Sequence, residues 1–325
     1  MRRAIVTCLL LLGAACGGES ATPGDTLRVG LVTPGSVADA AWNAGAFAGL
    51  EQLRDSLLVD ISHVEARTPA EQEEALRSYA AQGYAIVFGH GFEFQQPAER
   101  VAAEFPNNVF AITSGQRVAG QVVPIVFRVH EATYLLGRMA GALTRTNTIG
   151  FLGGMELPPI VLGLRGWEEG ARAENPAVDS RVTWLNSFDD AAAGKEATLA
   201  MLRLGVDQVH HNADAAALGA FSAVRETPGV LIYGANANQA SLAPDRVAAS
   251  AVIDLPRAML LLTREVLAGE FVPKVESFGL ESDVVRFELN DRMRDTLSTA
   301  LVQRVMLARD SIIKGLLVVA GTPAP

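Results

Sequence analysis

Short apolar runs alternate with longer stretches of mixed polar and apolar residues along most of this chain. The runs are rich in β-branched and aliphatic residues, and several are apolar throughout, which is typical of parallel strands buried on both faces. The predicted strands span residues 27–32, 84–89, 108–113, 122–129, 148–153, 182–186, 206–211, 230–235 and 247–253.

The stretches between these runs carry apolar residues at helical spacing. Asp190 and Asp214 are possible N-caps, and Pro97 suits an early helical position. The predicted helices span residues 41–57, 69–82, 95–105, 131–145, 161–174, 190–204, 214–227 and 256–269. Such alternation predicts an α/β fold with doubly wound parallel sheets, and a chain of 325 residues has room for two of them.

Ligands of open α/β sheets bind beyond the carboxyl ends of the strands, where the strand order reverses. The residues that follow the predicted strands are therefore the candidate ligand-binding segments, and they are polar and aromatic. These segments are 33–43, 89–92, 113–114, 154–156, 187–189, 211–214 and 234–239. We expect a small-molecule pocket built from the loops of two lobes.

The charge and composition of the chain argue against nucleic acid as a binding partner. The net charge is −9, only three lysines occur, and no basic run is present, so nucleic-acid binding is not expected. Hydrophobic residues make up 49% of the chain, enough for large cores without disulfides.

The first 16 residues resemble a bacterial lipoprotein signal. Arg2 and Arg3 precede an apolar run (4–12) and small residues (13–15), and Cys16 stands at the cleavage point. We expect a signal peptide at 1–15, lipidation of Cys16 and a tether at 16–26, which would anchor the protein to the cell envelope by acyl chains, facing the periplasm or the exterior. The alternative is ordinary secretion with Cys16 as a chance thiol.

Motifs of catalysis are absent from the sequence. It has no G-x-S-x-G elbow, Walker A loop or H-E-x-x-H helix, and the glycine pattern that begins at Gly89 meets Phe94 where a dinucleotide fingerprint needs glycine. His210 and His211 are neighbours on a predicted strand and point to opposite faces, so one metal ion cannot easily use both. We expect neither an enzyme, nor a cofactor, nor a metal site.

A series of motifs resembles the basic membrane protein family, lipoproteins that serve as substrate-binding proteins of ABC importers and include purine-nucleoside receptors. Each motif is weak alone, but their order runs from about Leu27 to Val319. The motifs are Asp39-Ala-Ala-Trp42-Asn43, Gly89-His-Gly-Phe92-Glu-Phe94, Ala103-Glu-Phe105-Pro106-Asn107, Phe127-Arg128-Val-His-Glu131-Ala-Thr-Tyr134-Leu-Leu-Gly137, Ile149-Gly150-Phe151-Leu-Gly153-Gly154, Gly166-Trp-Glu-Glu-Gly170, Asn175-Pro176, Ser187-Phe188-Asp189-Asp190 and Ile313-Lys314-Gly315.

The resemblance implies the type I periplasmic-binding-protein architecture, with two Rossmann-like lobes joined by three hinge crossovers near Phe127, Ile253 and Asp283. Lobe 1 would comprise 27–126 and 254–280, and lobe 2 would comprise 127–253 and 281–319. It further implies hinge closure around a purine nucleoside or related base, and recognition of the closed form by an ABC permease. An extracytoplasmic sensor of the same fold, signalling to a membrane partner, is the alternative.

The resemblance places Trp42 against the ligand's base, whereas the plainer interpretation makes it a core residue of the first helix. Asp39 either binds ligand or only caps that helix. Phe188 and Phe92 are further aromatic candidates, each with a packing role as the alternative. The polar candidates are Asn43, His90, Ser114, Asn212 and Asp214.

One segment departs from the nucleoside receptors, which hold ribose with the carboxylates of a G-x-D-x-D loop and a following lysine. This chain carries Asn236 and Asn238 at the carboxylate positions, and Asp254 stands about where the lysine is expected. Both asparagines remain candidate ligand-binding residues, but without charge assistance. A free purine base or another small heterocycle is therefore open as the ligand.

Overall fold

The structure is a computed structural model that describes residues 26–39 and 41–321. The predicted signal peptide 1–15, Cys16 and nearly all of the tether 16–26 lie outside the described residues. They stay predictions.

The described residues form two six-stranded sheets with helices on their faces. The strands are β1 Arg28–Thr33, β2 Asp60–Glu65, β3 Ile86–His90, β4 Val109–Thr113, β5 Val122–Phe127, β6 Thr148–Gly153, β7 Asp179–Trp184, β8 Gln208–Asn212, β9 Leu231–Asn236, β10 Val247–Ile253, β11 Glu276–Phe278 and β12 Val285–Leu289. The helices are α1 Trp42–Leu57, α2 Pro69–Ala81, α3 Gln95–Ala102, α4 Val129–Leu143, α5 Pro158–Glu174, α6 Ala191–Arg203, α7 Ala217–Glu226, α8 Leu255–Leu267 and α9 Thr299–Ile313.

The two sheets repeat one strand order. Sheet 1 runs β2-β1-β3-β4-β5-β11 and is parallel throughout, whereas sheet 2 runs β7-β6-β8-β9-β10-β12 and is parallel except for β12. In each sheet the strand order reverses at the strand that comes first along the chain. β1 lies between β2 and β3, and β6 lies between β7 and β8, so the reversal points are the β1–β3 and β6–β8 neighbours. We call sheet 1 with its helices lobe 1 and sheet 2 with its helices lobe 2.

The chain passes between the lobes three times, and polar groups join two of the passages. It leaves sheet 1 after β5, returns after β10, and crosses again between β11 and β12. At the first passage, Arg128 donates from Nε to Glu131 at 2.7 Å and from Nη1 to Ser277 at 2.8 Å, and it pairs with Glu281 of the third passage. Glu131, only 2% exposed, also accepts from the backbone N–H of Leu280 at 2.9 Å. The passages therefore form a connected hinge. The lobe boundaries given above remain a proposal, and this topology supports it.

Glycines allow α4 and α5 to pack with their backbones in contact. A Cβ on Gly170 would lie 1.9 Å from the Tyr134 carbonyl oxygen, and one on Gly137 would lie 2.1 Å from the Trp167 carbonyl oxygen. Real Cβ atoms do not approach so closely, so larger side chains would force the helices apart. The close packing of α5 against α4 therefore explains why the Gly166-Trp-Glu-Glu-Gly170 motif ends in glycine.

One buried apolar cluster is continuous from lobe to lobe. It contains Leu31 and Phe88 of sheet 1, Phe151 and Ala251 of sheet 2, and Leu136 of α4. Within the residues that the structure describes, no helix combines the length and the apolar character that a membrane span requires.

All nine predicted strands and eight predicted helices are present, with boundaries shifted by a few residues. The predicted strand 182–186 begins too late, since β7 begins at Asp179. The first residues of β7 are polar because they lie at the sheet edge, so they lack the apolar pattern of a strand. The sequence pattern missed β2, β11, β12 and α9. The three strands lie at or next to sheet edges and carry half-exposed, mixed residues, so they lack the apolar run of a central strand.

Candidate functional site

A cleft lies between the lobes at the carboxyl ends of β1, β3, β6 and β8. It encloses about 330 Å³ and sits at the two points where the strand orders reverse. This is the position at which open α/β sheets bind ligands. The cleft is lined by Pro34, Gly35, Asp39, Trp42, Asn43, Arg67, Gly91, Phe92, Glu93, Ser114, Phe127, Val129, Met155, Leu157, Pro159, Ile160, Asn186, Ser187, Phe188, Asp189, Asn212, Asp214, Asn236 and Ile253.

The structure brings most of the sequence-predicted residues to this cleft. The predicted residues in the lining are Asp39, Trp42, Asn43, Phe92, Ser114, Phe188, Asn212, Asp214 and Asn236. His90 and Asn238 are not among the lining residues. Their side chains have other partners.

Trp42 begins α1 and contributes an indole ring to the lobe 1 wall. One face of the ring stacks on His90, with centroids 4.1 Å apart and planes inclined by 26°. The His90 Nε2–H donates to the Trp42 carbonyl oxygen at 3.1 Å, so Nδ1 accepts from the Thr113 hydroxyl at 2.9 Å. Burial lowers the pKa of His90 to about 3, which keeps the imidazole neutral. His90 therefore supports Trp42 from behind, and this support orients the indole.

Asp39 is committed to the start of α1. Its carboxylate accepts from the backbone N–H groups of Ala41, Asn43 and Ala44 at 3.1, 2.6 and 2.9 Å. The N-cap residue itself is Ala41, so Asp39 satisfies the N–H groups of the helix start from two residues earlier, and it also lies in the cleft wall. These bonds fix the loop that carries Trp42.

Phe188 contributes an aromatic ring from lobe 2, out of the loop between β7 and α6. The ring lies against the backbone of Gly154, where a Cβ would be 2.2 Å from Phe188 Cδ1. Glycine at 154 is thus needed for this placement. Trp42 and Phe188 give one cavity an aromatic group from each lobe.

Four of the non-glycine cleft residues in the described chain have left-handed backbone: Ser114, Asn186, Asp214 and Asn236, with φ of 57°, 55°, 44° and 64°. Each stands at or just beyond the carboxyl end of a strand, where the chain turns sharply. Backbone strain of this kind concentrates at ligand sites, because it aims side chains that an ordinary turn would direct elsewhere.

Asp214 and Asn236 form a pair across β8 and β9. Asn236 Nδ2 donates to Asp214 Oδ1 at 3.2 Å. Burial raises the pKa of Asp214 to about 8, with further contributions from the carboxylates of Asp39, Glu93 and Asp189. The Asp214 side chain is half-buried, and the crowding of the loops around the cleft raises the cost of ionising its carboxyl group.

Arg67 and Glu93 are cleft residues that the sequence analysis did not single out. Arg67 follows the missed strand β2; it donates to Glu65 at 2.6 Å and lies 3.4 Å from Asp189 across the cleft mouth. Glu93 sits within the Gly89-His-Gly-Phe92-Glu-Phe94 motif, and burial raises its pKa. A search of the predicted strand ends could not have found Arg67, because the strand that precedes it, β2, was not among the predicted strands.

The adjacent histidines lie inside lobe 2. His210 bonds the Tyr233 carbonyl oxygen at 3.1 Å and packs on Trp167, while His211 donates to Gln239 at 2.9 Å. Burial lowers the pKa of His210 to about 3 and that of His211 to about 4. In the described part of the chain, no three His, Cys, Asp or Glu side chains are grouped to hold a metal ion.

Asn238 and Asp254, which depart from the pattern of the nucleoside receptors, have partners outside the cleft. Asn238 is exposed and donates to Glu288 at 2.8 Å, and Asp254 caps α8 and pairs with Arg286 at 2.8 Å. Neither residue lines the cleft.

Comparisons with known proteins place this architecture in a family. Residues 26–322 match the family described as "ABC transporter substrate-binding protein PnrA-like". The chain is 27% identical over 308 residues to basic membrane protein A of Borreliella afzelii, covering 90% of this chain and 94% of that protein. It is 24% identical over 288 residues to a purine-binding protein of Brucella abortus, covering 88% and 80%. The crystal structure of an ABC transporter solute-binding protein from Aeropyrum pernix superposes with a TM-score of 0.83 at 22% identity, covering 91% of this chain and 94% of that one.

Proposed function

This chain belongs to the PnrA-like family of ABC transporter substrate-binding proteins, and we propose that it captures a purine base or nucleoside between its lobes for delivery to an ABC permease. The family is described as one of ABC transporter substrate-binding proteins. The proposal concerns the ligand and the anchoring of this particular chain.

The observation that carries the proposal is the pair of aromatic groups, Trp42 and Phe188, on the walls of one interlobe cavity. A flat ring held between them would gain stacking on both lobes only when the lobes are together. Stacking on an aromatic side chain contributes about 1–3 kcal/mol per base. Such a ligand would couple binding to closure, which is the signal that a permease needs.

The polar lining suits a heterocycle edge. The amides of Asn43, Asn212 and Asn236 each offer a donor and an acceptor, and the volume of about 330 Å³ is at the lower end of the range for small-molecule sites. The similarity to the purine-binding protein of Brucella abortus supports the same ligand class.

We propose the base as the part of the ligand that this site chiefly recognises. The two residues expected near a ribose, Asn238 and Asp254, are engaged outside the cleft by Glu288 and Arg286. Asn236 remains in the lining but donates to Asp214. These contacts leave the ring-binding groups as the principal part of the site.

Two measurements test the ligand class. Native mass spectrometry of the purified protein identifies any solute that copurifies, and calorimetry with a panel of purine bases and nucleosides measures affinity. We expect at least one purine to bind with micromolar or tighter affinity. Absence of binding across the whole panel, with a folded protein, would refute this ligand class.

Anchoring and transport are tested in cells. We propose that Cys16 is acylated, so Cys16→Ser should release the protein from the membrane fraction, and unchanged fractionation would contradict the anchor. Deletion of the gene should abolish uptake of a labelled purine through the permease. Unchanged uptake by a deletion strain, with binding intact in vitro, would favour the sensor role instead.

A further inference from the structure

The charged groups of the cleft are strongly unbalanced. Four carboxylates, those of Asp39, Glu93, Asp189 and Asp214, line it from both lobes. Arg67 is the one Lys or Arg among the described lining residues, and it is already paired with Glu65 and Asp189. A ligand that brings further acceptors would therefore meet repulsion, whereas a ligand that brings N–H donors would find partners.

A buried amide oxygen adds an independent requirement for a donor. Asn43 lines the cleft, its side chain is 6% exposed, and its Oδ1 has no hydrogen-bond partner among the described residues. An acceptor left unpaired after burial carries a free-energy cost, because it has lost its hydrogen bonds to water. A ligand N–H that reaches this oxygen would remove that cost.

Asp214 has more hydrogen-bonding capacity left than Asp39. Asp39 accepts from three backbone N–H groups, whereas Asp214 has one side-chain bond, the 3.2 Å contact from Asn236. The charged groups that face Asp214 are Asp39 before α1, Glu93 after β3 and Asp189 before α6, all of one sign. With its pKa raised to about 8, Asp214 holds a proton in the ligand-free cleft at neutral pH.

We infer that this cleft selects amino-substituted purine-like rings, which donate N–H bonds, over rings that carry carbonyl oxygens in the same positions, and that binding expels a proton from Asp214. The inference rests on the proposed function and refines its ligand class. The ligand N–H donates to the Asp214 carboxylate, and the carboxylic proton leaves to bulk solvent. Asn43 and Asp214 thus determine specificity, while the aromatic walls hold any flat ring.

Calorimetry on the full-length protein, stripped of bound solute by unfolding and refolding, tests this inference. The matched ligands are adenine and hypoxanthine, with diaminopurine as a third. Adenine carries an amino donor at C6 and an acceptor at N1, whereas hypoxanthine carries a carbonyl oxygen at C6 and an N–H donor at N1. We expect adenine and diaminopurine to bind at least tenfold more tightly than hypoxanthine. Titrations in two buffers of different ionisation enthalpy should show nearly one proton released per aminopurine bound at neutral pH.

Two variants that carry the same kind of substitution assign the effect to Asp214. Asp214→Asn should abolish proton release and reduce the preference for aminopurines. Asp60→Asn, at the exposed first residue of β2 and the opposite end of the sheet from the cleft, should leave both unchanged. Thermal melts establish that each variant is folded.

The outcomes separate the two proposals. Hypoxanthine binding as tightly as adenine, or aminopurine binding without proton release by the unaltered protein, overturns this inference and leaves the proposed function standing. If bases and nucleosides all fail to bind, the purine ligand class falls together with the inference.

Discussion

Trp42 offers the sharpest test of the cleft, because its role is accessible to a single substitution. One face of the indole is covered by His90 at 4.1 Å between centroids, and the residue also lines the cavity. Trp42→Ala removes one stacking surface. A loss of about 1–3 kcal/mol corresponds to an affinity roughly 5- to 150-fold lower, and we expect at least a tenfold loss.

The assay is calorimetry with the tightest ligand of the purine panel. Trp42→Phe retains an aromatic face and should recover most of the affinity. Trp184→Ala is the control, since it deletes an indole from β7 that packs on Phe151 and does not line the cleft. Full affinity in folded Trp42→Ala would refute the stacking argument and return this residue to a purely structural role.

Three further predictions follow from packing and protonation. Gly154→Ala should push the Phe188 ring out of place, since its Cβ would lie 2.2 Å from a ring carbon, and calorimetry should show weaker ligand binding with little change in melting temperature. Gly170→Ala should lower the free energy of unfolding in urea by about 1–3 kcal/mol, because its Cβ would lie 1.9 Å from a carbonyl oxygen of α4. Gly163→Ala in the same helix, whose Cβ would have no neighbour nearer than 3.9 Å, should be neutral or stabilising; equal losses would contradict this packing argument. The unfolding free energy should fall as the pH drops from 6.5 towards 4, because four buried histidines, His90, His130, His210 and His211, have folded pKa values of about 3 to 4 and take up protons on unfolding. The raised pKa values of Asp214, Glu93 and Glu276 act with the opposite sign, on fewer groups. A flat urea midpoint over this range would contradict the prediction.

The central strands were predictable from sequence because burial on both faces demands an uninterrupted apolar run. β4, with five buried residues in succession, is the clearest example. β2 was not predictable in this way, since it lies at the edge of sheet 1, begins and ends with a carboxylate residue, and has no buried position. Its identity depends on pairing with β1, which is a tertiary contact.

The sequence predicted which residues lie at the site better than it predicted what each side chain does there. The strand-end rule and the family resemblance together pointed to Trp42 and Phe188, and both line the cleft. Whether a residue such as His90 touches a ligand or supports its neighbour depends on side-chain direction, which the spacing does not contain. Asn238 is exposed and bonded to Glu288, two residues after the left-handed backbone of Asn236.

The continuous apolar cluster that links sheet 1, α4 and sheet 2 has a thermodynamic consequence. Two lobes with separate interiors could melt one after the other. Each lobe also has a smaller cluster of its own, but Phe88 and Phe151 belong to one shared packed body, so neither half can unfold completely without disturbing the other. Scanning calorimetry should therefore record a single cooperative heat-absorption peak, with van't Hoff and calorimetric enthalpies in agreement.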